Sequence, residues 1–239
     1  MRMRARLLTL PVAALLCCAC VSVGGGDAPG RTWYRLTDRG VGVAAPATVS
    51  ATTTGTTATS PTTTAGIGAA TAATADPGAR IGATLLVEGA AQGSLYESTA
   101  LVFSRAPGAH AYYQFASWTE PPARRIAQLT VQRLAARERF DAVARIDAGI
   151  RGDLLLRVTV EEMLHELGAQ GGRVRIGVTA ELIDWPRRAL IARRGFAANE
   201  PVGGDDAAAA VAAFDRGATR LLDGLAPWVE AVAASRAKR

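Results

Sequence analysis

The three cysteines of this 239-residue chain, Cys17, Cys18 and Cys20, lie within four consecutive positions. Thiols at that spacing could bind a metal or a redox cluster, lie within a membrane span, or accept a covalent modification. A metal site would need further ligands at a suitable spacing, but the two histidines, His110 and His165, lie far away in the sequence. Covalent modification is therefore the chemistry that the neighbouring residues must support.

The segment that carries the cysteines has the pattern of an export signal. Arg2, Arg4 and Arg6 precede an apolar run that extends from Leu7 to about Ala19. A run of roughly 13 residues is about 20 Å long as a helix, whereas a membrane-spanning helix needs about 20 residues. The run therefore predicts a secretory signal, and no other stretch is long and apolar enough to span. We expect an exported protein without a transmembrane helix.

Ala19 is the best-placed small residue for signal cleavage, and a cut after it would leave Cys20 at the new N-terminus. This segment resembles a bacterial lipobox, although Cys17 stands where leucine is usual. We predict a signal peptide over residues 1–19 and a covalent lipid on Cys20, with no other cofactor. Stable anchoring takes more than one acyl chain, and the resemblance implies three. Val21 stands where retained inner-membrane lipoproteins often have Asp, so the same resemblance favours the outer membrane.

The remaining polar residues form no catalytic constellation. Neither His110 nor His165 has a Ser or Cys nucleophile nearby, so a structural or surface role is the preferred interpretation for both. Glu161 and Glu162 are adjacent and would point to opposite faces of a strand, so they could not act as a pair. With Glu166 they could contact a cation, but a solvated edge is preferred. We predict no catalytic residue, no metal site and no enzymatic activity.

The charge balance is close to neutral once the signal is set aside. The formal net charge is +6, but removal of the three N-terminal arginines leaves 24 basic residues against 21 acidic ones. Nucleic-acid binding normally shows as a clustered basic face with interleaved aromatic residues. Nucleic acid is therefore not an expected partner.

The chain divides by composition into three parts. Residues 1–19 are the signal, residues 20–79 are the anchor and a Thr/Ala-rich linker, and residues 80–236 are the ordered domain. The tract over residues 45–79 has little apolar bulk and almost no charge, so we expect it to be disordered. A short β-prone run at residues 32–36 (TWYRL) precedes the tract. It either joins the sheet of the domain or remains part of the tether.

Hydrophobic periodicity predicts an α+β domain. The clearest strand has alternating apolar residues from Val174 to Leu182, and further strands are expected near residues 81–90, 100–105, 110–118, 140–145, 153–164 and 189–198. One helix should follow Thr119 as a possible N-cap, and a second should run from about Val211 to Val232 with a bend or break at Pro227. The predicted fold is a largely antiparallel sheet with two amphipathic helices packed on one face, preceded by a disordered lipid-anchored tether.

Three aromatic residues have two interpretations from sequence alone. Tyr112, Tyr113 and Trp118 could form part of a protein interface, because such residues are common in binding hot spots. Burial in the core is the other interpretation.

The order of these segments resembles the ABC-type transport auxiliary lipoprotein family, which includes the lipoprotein of the paraquat-inducible Pqi system. The most specific part is YYQFASWTEPPARRI at residues 112–126, which is similar to the family's Tyr-x-x-x-x-Trp-x-x-Pro-Pro pattern. In that family the Tyr-Arg-Leu strand joins the domain sheet. Residues 37–78 would then be a long internal loop, which loop-closure entropy tolerates because it grows slowly with length.

The resemblance implies a non-catalytic lipoprotein that is anchored in the outer membrane and faces the periplasm. Its implied partners are an MCE-domain protein and, through it, an ABC permease and ATPase. The implied cargo is phospholipid or another hydrophobic molecule, and a homo-oligomer is plausible. The alternative hypothesis is a lipoprotein scaffold or activator of a cell-wall synthesis complex, for which a long tether before a small domain is also suitable.

Overall fold

The computed structural model describes residues 30–40 and 80–237, and its elements belong to a compact unit that begins at Arg31. The predicted signal peptide, Ala19, Cys20 and the Thr/Ala-rich tract lie outside these residues.

The described residues form eight strands and two long helices, so the prediction of an α+β fold is confirmed. The strands are β1 (Thr32–Tyr34), β2 (Ile81–Ala91), β3 (Ala100–Ala106), β4 (Ala109–Trp118), β5 (Phe140–Arg145), β6 (Leu154–Glu166), β7 (Arg173–Asp184) and β8 (Ala189–Pro201). The helices are α1 (Pro122–Ala136) and α2 (Ala207–Ala237).

Strand β6 is the centre of a mixed, mostly antiparallel sheet. It pairs antiparallel with β7 along its whole length, and β7 pairs antiparallel with β8. The other side of β6 is shared, because its first half pairs parallel with β2 and its last two residues pair parallel with β3. Strand β5 then extends the sheet beyond β2, and β4 and β1 extend it beyond β3.

The short N-terminal strand is part of this sheet. Strand β1 pairs parallel with the end of β4, with Thr32 opposite Ala116 and Tyr34 opposite Trp118. The TWYRL segment therefore joins the domain instead of remaining in the tether. Residues 41–79 connect β1 to β2 in the sequence and lie outside the described residues.

Helix α1 begins differently from the prediction. Its N-cap is Pro121, which makes no side-chain capping bond, and Pro122 occupies the first turn, where a missing N–H costs little. Thr119 is therefore not the cap. The predicted apolar side is correct, since Ile126, Leu129 and Leu134 are buried in the core.

Helix α2 continues through Pro227 without a break, so the predicted interruption is wrong. Proline removes the hydrogen bond to the carbonyl four residues earlier, which here belongs to Asp223. Both Pro227 and Asp223 are exposed, so water can satisfy that carbonyl. Apolar side chains on the other side of the helix, among them Phe214 and Leu225, hold it against the core.

Both helices cover one face of the sheet, here called the inner face, and the opposite outer face is polar along much of its length. One outer row follows the strand register across four strands and comprises Glu88, Arg157, Glu181 and Arg193. The Nε atom of Arg157 lies 2.7 Å from Oε2 of Glu88. Strand β7 has one solvent-facing side and one buried side, as its alternating sequence predicted.

The two adjacent glutamates of β6 do not behave as in a regular strand. A β-bulge interrupts the pairing between Val160 and Glu162, so one extra residue lies in β6. Glu161 accepts a hydrogen bond from the Thr179 hydroxyl, while Glu162 pairs with Arg175 at 3.0 Å. Thr179 and Arg175 share the outer face of β7, so both carboxylates contact that face. The prediction of opposite faces is wrong because of the bulge.

Candidate functional site

The first seven residues of β4 form an exposed strand edge. Residues 116–118 pair with β1, but residues 109–115, here called the β4 edge, have only β3 as a strand neighbour in the part of the chain that the structure describes. The side chain of Arg31 reaches the Gln114 carbonyl oxygen at 3.5 Å, which places that carbonyl on the side away from β3. Backbone groups on such an edge can pair with an additional strand.

The β4 edge lacks the side chains with which proteins usually protect an exposed strand. Charged residues and proline on an edge strand oppose pairing with another chain. Two of the other edge strands carry such charges, for example Asp141 and Arg145 on β5 and Arg193 and Arg194 on β8, whereas the short strand β1 carries none. The sequence of the β4 edge, AHAYYQF, contains no Lys, Arg, Asp, Glu or Pro. Its composition is therefore suited to strand pairing.

Large aromatic side chains are exposed on the same border of the sheet. Tyr112 is 54% exposed and Phe115 is 45% exposed, and Trp33 on the neighbouring strand β1 is 54% exposed. These are three of the five large apolar side chains that the described residues expose. A concentration of exposed apolar side chains marks an interaction surface.

The structure separates the three aromatic residues that the sequence analysis singled out. Tyr112 is exposed, Tyr113 is half-buried, and Trp118 is buried. The indole of Trp118 packs edge-on against Phe214 with 5.4 Å between ring centroids, because the end of β4 lies beneath α2. Trp118 is thus a core residue, so for this position the second interpretation, burial in the core, is correct. Phe115 belongs to the exposed border instead, and no local pattern in the sequence distinguishes it.

Tyr113 packs on the core side of the β4 edge. Its ring packs edge-on against Phe103 at 5.1 Å between centroids, and its hydroxyl lies 2.7 Å from Nδ1 of His165. His165 is fully buried, and its Nε2 lies 2.6 Å from the Gly171 carbonyl oxygen. Since a carbonyl only accepts, Nε2 donates, and in a neutral imidazole Nδ1 then accepts from the Tyr113 hydroxyl. Both ring nitrogens are used structurally, as the sequence analysis preferred.

The electrostatics of this pair favour a neutral tyrosine. Burial raises the pKa of the Tyr113 phenol, and the nearby Asp206 carboxylate raises it further. The phenol therefore keeps its proton and remains the donor to His165. His110, in contrast, is exposed on the β4 edge.

The segment that follows β1 is held by both helices. The backbone N–H of Thr37 donates to Asp215 Oδ1 at 2.8 Å, and that of Arg39 donates to Thr219 Oγ1 at 2.9 Å. Arg125 Nε donates to the Leu36 carbonyl at 2.7 Å. We call residues 36–40 with these contacts the N-terminal clamp. The clamp holds the N-terminal end of the domain against both helices.

A buried ion pair completes the N-terminal clamp. Asp38 is 3% exposed and pairs through both carboxylate oxygens with Arg133, which is 7% exposed. Arg133 also contacts Asp223 of α2. Hydrogen bonding to Asp38 raises the pKa of the Arg133 guanidinium, with a smaller rise from Asp223. These contacts therefore join the segment after β1 to both α1 and α2.

Two narrow gaps in the packing of the described residues have no room for a water molecule. One is lined by residues such as Tyr34, Trp118 and Met163. The other lies between the helices and β7. Small-molecule pockets begin at roughly 300 Å³, so neither gap can hold a phospholipid.

Two open grooves lie at the end of the sheet where β6 stops. One holds about 430 Å³ beside the β3–β4 turn and the end of β6, with Arg105, Glu166 and Arg173 among its lining residues. The other holds about 560 Å³ beside the β8–α2 loop. In the first groove Glu166 is already paired with Arg173 at 2.7 Å and with Arg175 at 2.9 Å. These acidic and basic side chains satisfy one another.

Within residues 30–40 and 80–237, no group of three or more His, Cys, Asp or Glu residues could hold a metal ion. No helix among these residues is both long and apolar enough to cross a membrane.

A family model matches most of this domain. The model, described as "ABC-type transport auxiliary lipoprotein component", matches residues 67–226, which is more than half of the chain. The match extends from before β2 to the last third of α2. No curated protein sequence matches the chain.

Solved structures show similar folds. Protein XCC0632 from Xanthomonas campestris, assigned to DUF330, is 21% identical with a TM-score of 0.61 over 67% of this chain and 91% of that one. A crystal structure described as an uncharacterized protein is 16% identical with a TM-score of 0.52 over 63% and 94% of the two chains. A PelC dodecamer from Paraburkholderia phytofirmans is 18% identical over 62% and 89%, with a TM-score of 0.40. At these identities the first two similarities concern the fold alone.

Proposed function

Because the chain belongs to the family of ABC-type transport auxiliary lipoprotein components, we propose that it is a non-catalytic, lipid-anchored part of an envelope transport system. The observation that carries this proposal is the family match over residues 67–226. The protein supplies attachment and docking, and the ATPase of the system supplies the energy.

The proposed anchor is the lipid on Cys20, exposed when the signal is cut after Ala19. Several acyl chains on one cysteine give stable attachment, whereas a single chain binds a membrane only marginally. Val21 favours the outer membrane, with the domain facing the periplasm. The N-terminal clamp supports this role, since it fixes to both helices the segment through which the anchor is connected.

The proposed cargo is phospholipid or another hydrophobic molecule, carried by a partner and not by this chain. The two gaps in the packing of the described domain have no room for a phospholipid. This favours docking of a conduit over carriage. The proposed partner is an MCE-domain protein and, through it, an ABC permease and ATPase.

The β4 edge is the proposed docking surface for the MCE-domain protein. An extended segment of a partner can pair with an exposed strand edge, where backbone hydrogen bonds give affinity and side chains give specificity. Tyr112 and Phe115 supply exposed aromatic side chains, and Tyr113 supports them from the core side. A second copy of this chain could dock in the same manner, which would give a homo-oligomer.

Fractionation and co-purification test this function. In cells, wild-type protein should incorporate a labelled fatty acid, fractionate with the outer membrane and co-purify with an MCE-domain protein after crosslinking. Cys20→Ala should remove the label and release the protein. A Cys20→Ala protein that keeps the lipid label would refute the anchor. Recovery of a peptidoglycan synthase in place of an MCE-domain protein would refute the transport role and favour the cell-wall hypothesis.

A further inference from the structure

A second exposed surface lies at the end of the sheet where β6 begins. It consists of the β7–β8 turn, residues 185–190, and the loop at residues 149–153 that precedes β6. The backbone N–H of Trp185 donates to the Asp153 carbonyl at 3.2 Å, so the turn and the loop adjoin one another. We call this surface the arginine end.

An apolar row on the outer face leads to the arginine end and becomes exposed there. The strand register aligns Leu86, Leu155, Ile183 and Leu190 across β2, β6, β7 and β8. Leu86 and Leu155 are buried, and Gly152 of the loop lies so close to Leu86 that a Cβ atom there would collide with it. The loop therefore covers the beginning of the row and leaves its end open.

Two aliphatic side chains project from this surface into solvent. Leu190 is 59% exposed, the highest value among the large apolar residues of the described chain, and Ile150 at the tip of the loop is 46% exposed. They are the two large exposed apolar side chains that do not belong to the β1–β4 border. Their exposure is not explained by packing within the domain.

Arginine dominates the charge around these side chains. The turn and the start of β8 contain Arg187, Arg188, Arg193 and Arg194, and the loop contains Arg151. Two of these arginines are paired, since Arg187 contacts Asp184 and Arg193 contacts Glu181 at 3.8 Å. The Asp153 carboxylate accepts a hydrogen bond from the Thr84 N–H and has no ion-pair partner among the described residues. Arg151 and Arg188 have no ion-pair partner among the described residues. Arg188 lies over the Trp185 ring at 4.1 Å, which holds its guanidinium at the tip of the turn.

We propose that the arginine end binds the surface of a membrane that contains anionic phospholipid. Guanidinium groups bind phosphate oxygens in a bidentate manner. At a membrane surface these phosphates belong to the phospholipid headgroups. Exposed aliphatic side chains beside them can enter the boundary between headgroups and acyl chains. An excess of arginine on a protruding turn, together with Ile150 and Leu190, is complementary to that surface in both charge and polarity.

The chain is long enough to bring the arginine end to the membrane of its own anchor. The register places Thr32 beside Ala116 and Ala100 beside Ser117, and β3 continues to Phe103 opposite His165. Thr32 therefore lies level with a point on β6 that is roughly 8 residues beyond Leu154. At 3.3 Å per residue, that point is about 26 Å along β6 from Leu154. The eleven residue-to-residue steps from Cys20 to Arg31 span at most about 36–40 Å. This step rests on the proposed lipid anchor.

A fluorescent label at position 190 tests the proposal on the full lipoprotein. After signal cleavage Cys20 is the only cysteine and its sulfur is acylated, so Leu190→Cys provides a single thiol for the environment-sensitive dye NBD. The labelled protein is incorporated into vesicles of phosphatidylcholine alone or with phosphatidylglycerol. Ala197→Cys is the matched control, because Ala197 is exposed on the same strand but away from the turn.

The proposal predicts that phosphatidylglycerol raises NBD emission at position 190 by about two-fold or more and shifts it to the blue, while position 197 does not respond. Arg151→Glu with Arg188→Glu should abolish the response without loss of folding, since neither arginine has an ion-pair partner in the described chain. Equal emission in both vesicle types, or a response that survives the double substitution, would overturn the proposal.

The same experiment distinguishes this inference from the proposed anchor. If the protein does not remain in phosphatidylcholine vesicles, the lipid on Cys20 is refuted. The emission of NBD at position 190 can then still be measured after the protein is added from solution to vesicles that contain phosphatidylglycerol. Retention without an anionic response would refute the arginine end alone. A photoreactive residue at position 190 that yields only protein adducts in intact envelopes would assign this surface to an acidic protein partner and overturn the membrane proposal.

Discussion

Asp38 and Arg133 form a buried two-point ion pair between the segment after β1 and helix α1. Arg133 Nε lies 2.8 Å from Asp38 Oδ2, and Nη2 lies 2.5 Å from Oδ1. The residues are 95 positions apart in the sequence, so the pair joins parts of the chain that lie on either side of residues 41–79 in sequence. It also connects the N-terminal segment, and through it the proposed anchor, to the core.

Asp38→Ala should strongly destabilise the domain, because it leaves Arg133 buried with only Asp223 as a partner. Breaking a buried pair by removal of one partner costs about 3 to 5 kcal/mol, and the remaining contact to Asp223 favours the lower value. Chemical denaturation measures the free energy of unfolding. Asp147→Ala removes the more exposed pair with Arg145 and serves as the control, for which little change is expected. Equal effects of the two substitutions would contradict a special role for the N-terminal clamp.

Trp118→Ala should lower the free energy of unfolding by about 3 to 5 kcal/mol, as for other large aromatic residues in cores. The reason is that Trp118 is 3% exposed and packs against Phe214. Thermal or chemical unfolding measures the effect. Tyr112→Ala, on the exposed side of the same strand, should change stability by less than about 0.5 kcal/mol. A mild effect of Trp118→Ala would mean that the end of β4 is not in the core.

Tyr113→Phe should cost about 1 to 2 kcal/mol, since it leaves Nδ1 of the buried His165 without its donor. The pKa of Tyr113 is raised in the folded state, so folding favours the protonated phenol. Its contribution is complete below pH 10, the ordinary pKa of tyrosine, and is lost as the pH rises through the higher folded pKa. Unfolding measured from pH 8 to 11 should therefore show a smaller alkaline loss in Tyr113→Phe than in wild type. Tyr112→Phe should follow the wild-type curve, and identical curves for all three proteins would refute the assignment.

Tyr112→Lys with Phe115→Lys should abolish partner binding at the β4 edge without unfolding the domain. Lysine on an exposed edge opposes the addition of another strand, and both positions are open to solvent. Circular dichroism would confirm the fold, and co-purification from crosslinked envelopes would measure binding. Retained co-purification of the partner would place the interface elsewhere on the domain.

Local sequence patterns predicted most elements but few of their partners. Strand β7 was predicted from the alternation between Val174 and Leu182. Helix α1 was predicted from the apolar spacing of Ile126, Leu129 and Leu134. Each pattern was sufficient because it matches the period of one element. Parallel pairing of β2 with β5 and β6 could not be predicted in this way. It depends on contacts between strands that are far apart in the sequence.

The candidate site was less predictable than the fold. Tyr112 and Trp118 belong to the same strand, and contacts with distant residues such as Phe214 of α2 bury Trp118 but not Tyr112. The bulge that places Glu161 and Glu162 on one face inserts a residue that no periodicity indicates. The β4 edge stays open because β1 begins only opposite Ala116, and that register depends on pairing between strands far apart in the sequence.

Site-specific photocrosslinking at Tyr112 tests the central claim most directly. A photoreactive residue at position 112 of the full lipoprotein is activated in intact envelopes, and the adducts are identified by mass spectrometry. The same residue at Asp141, which is exposed on β5 at another edge of the sheet, is the control. The proposed function predicts an adduct with an MCE-domain protein from position 112 and not from position 141. Adducts with only a cell-wall synthase, or the same adducts from both positions, would contradict it.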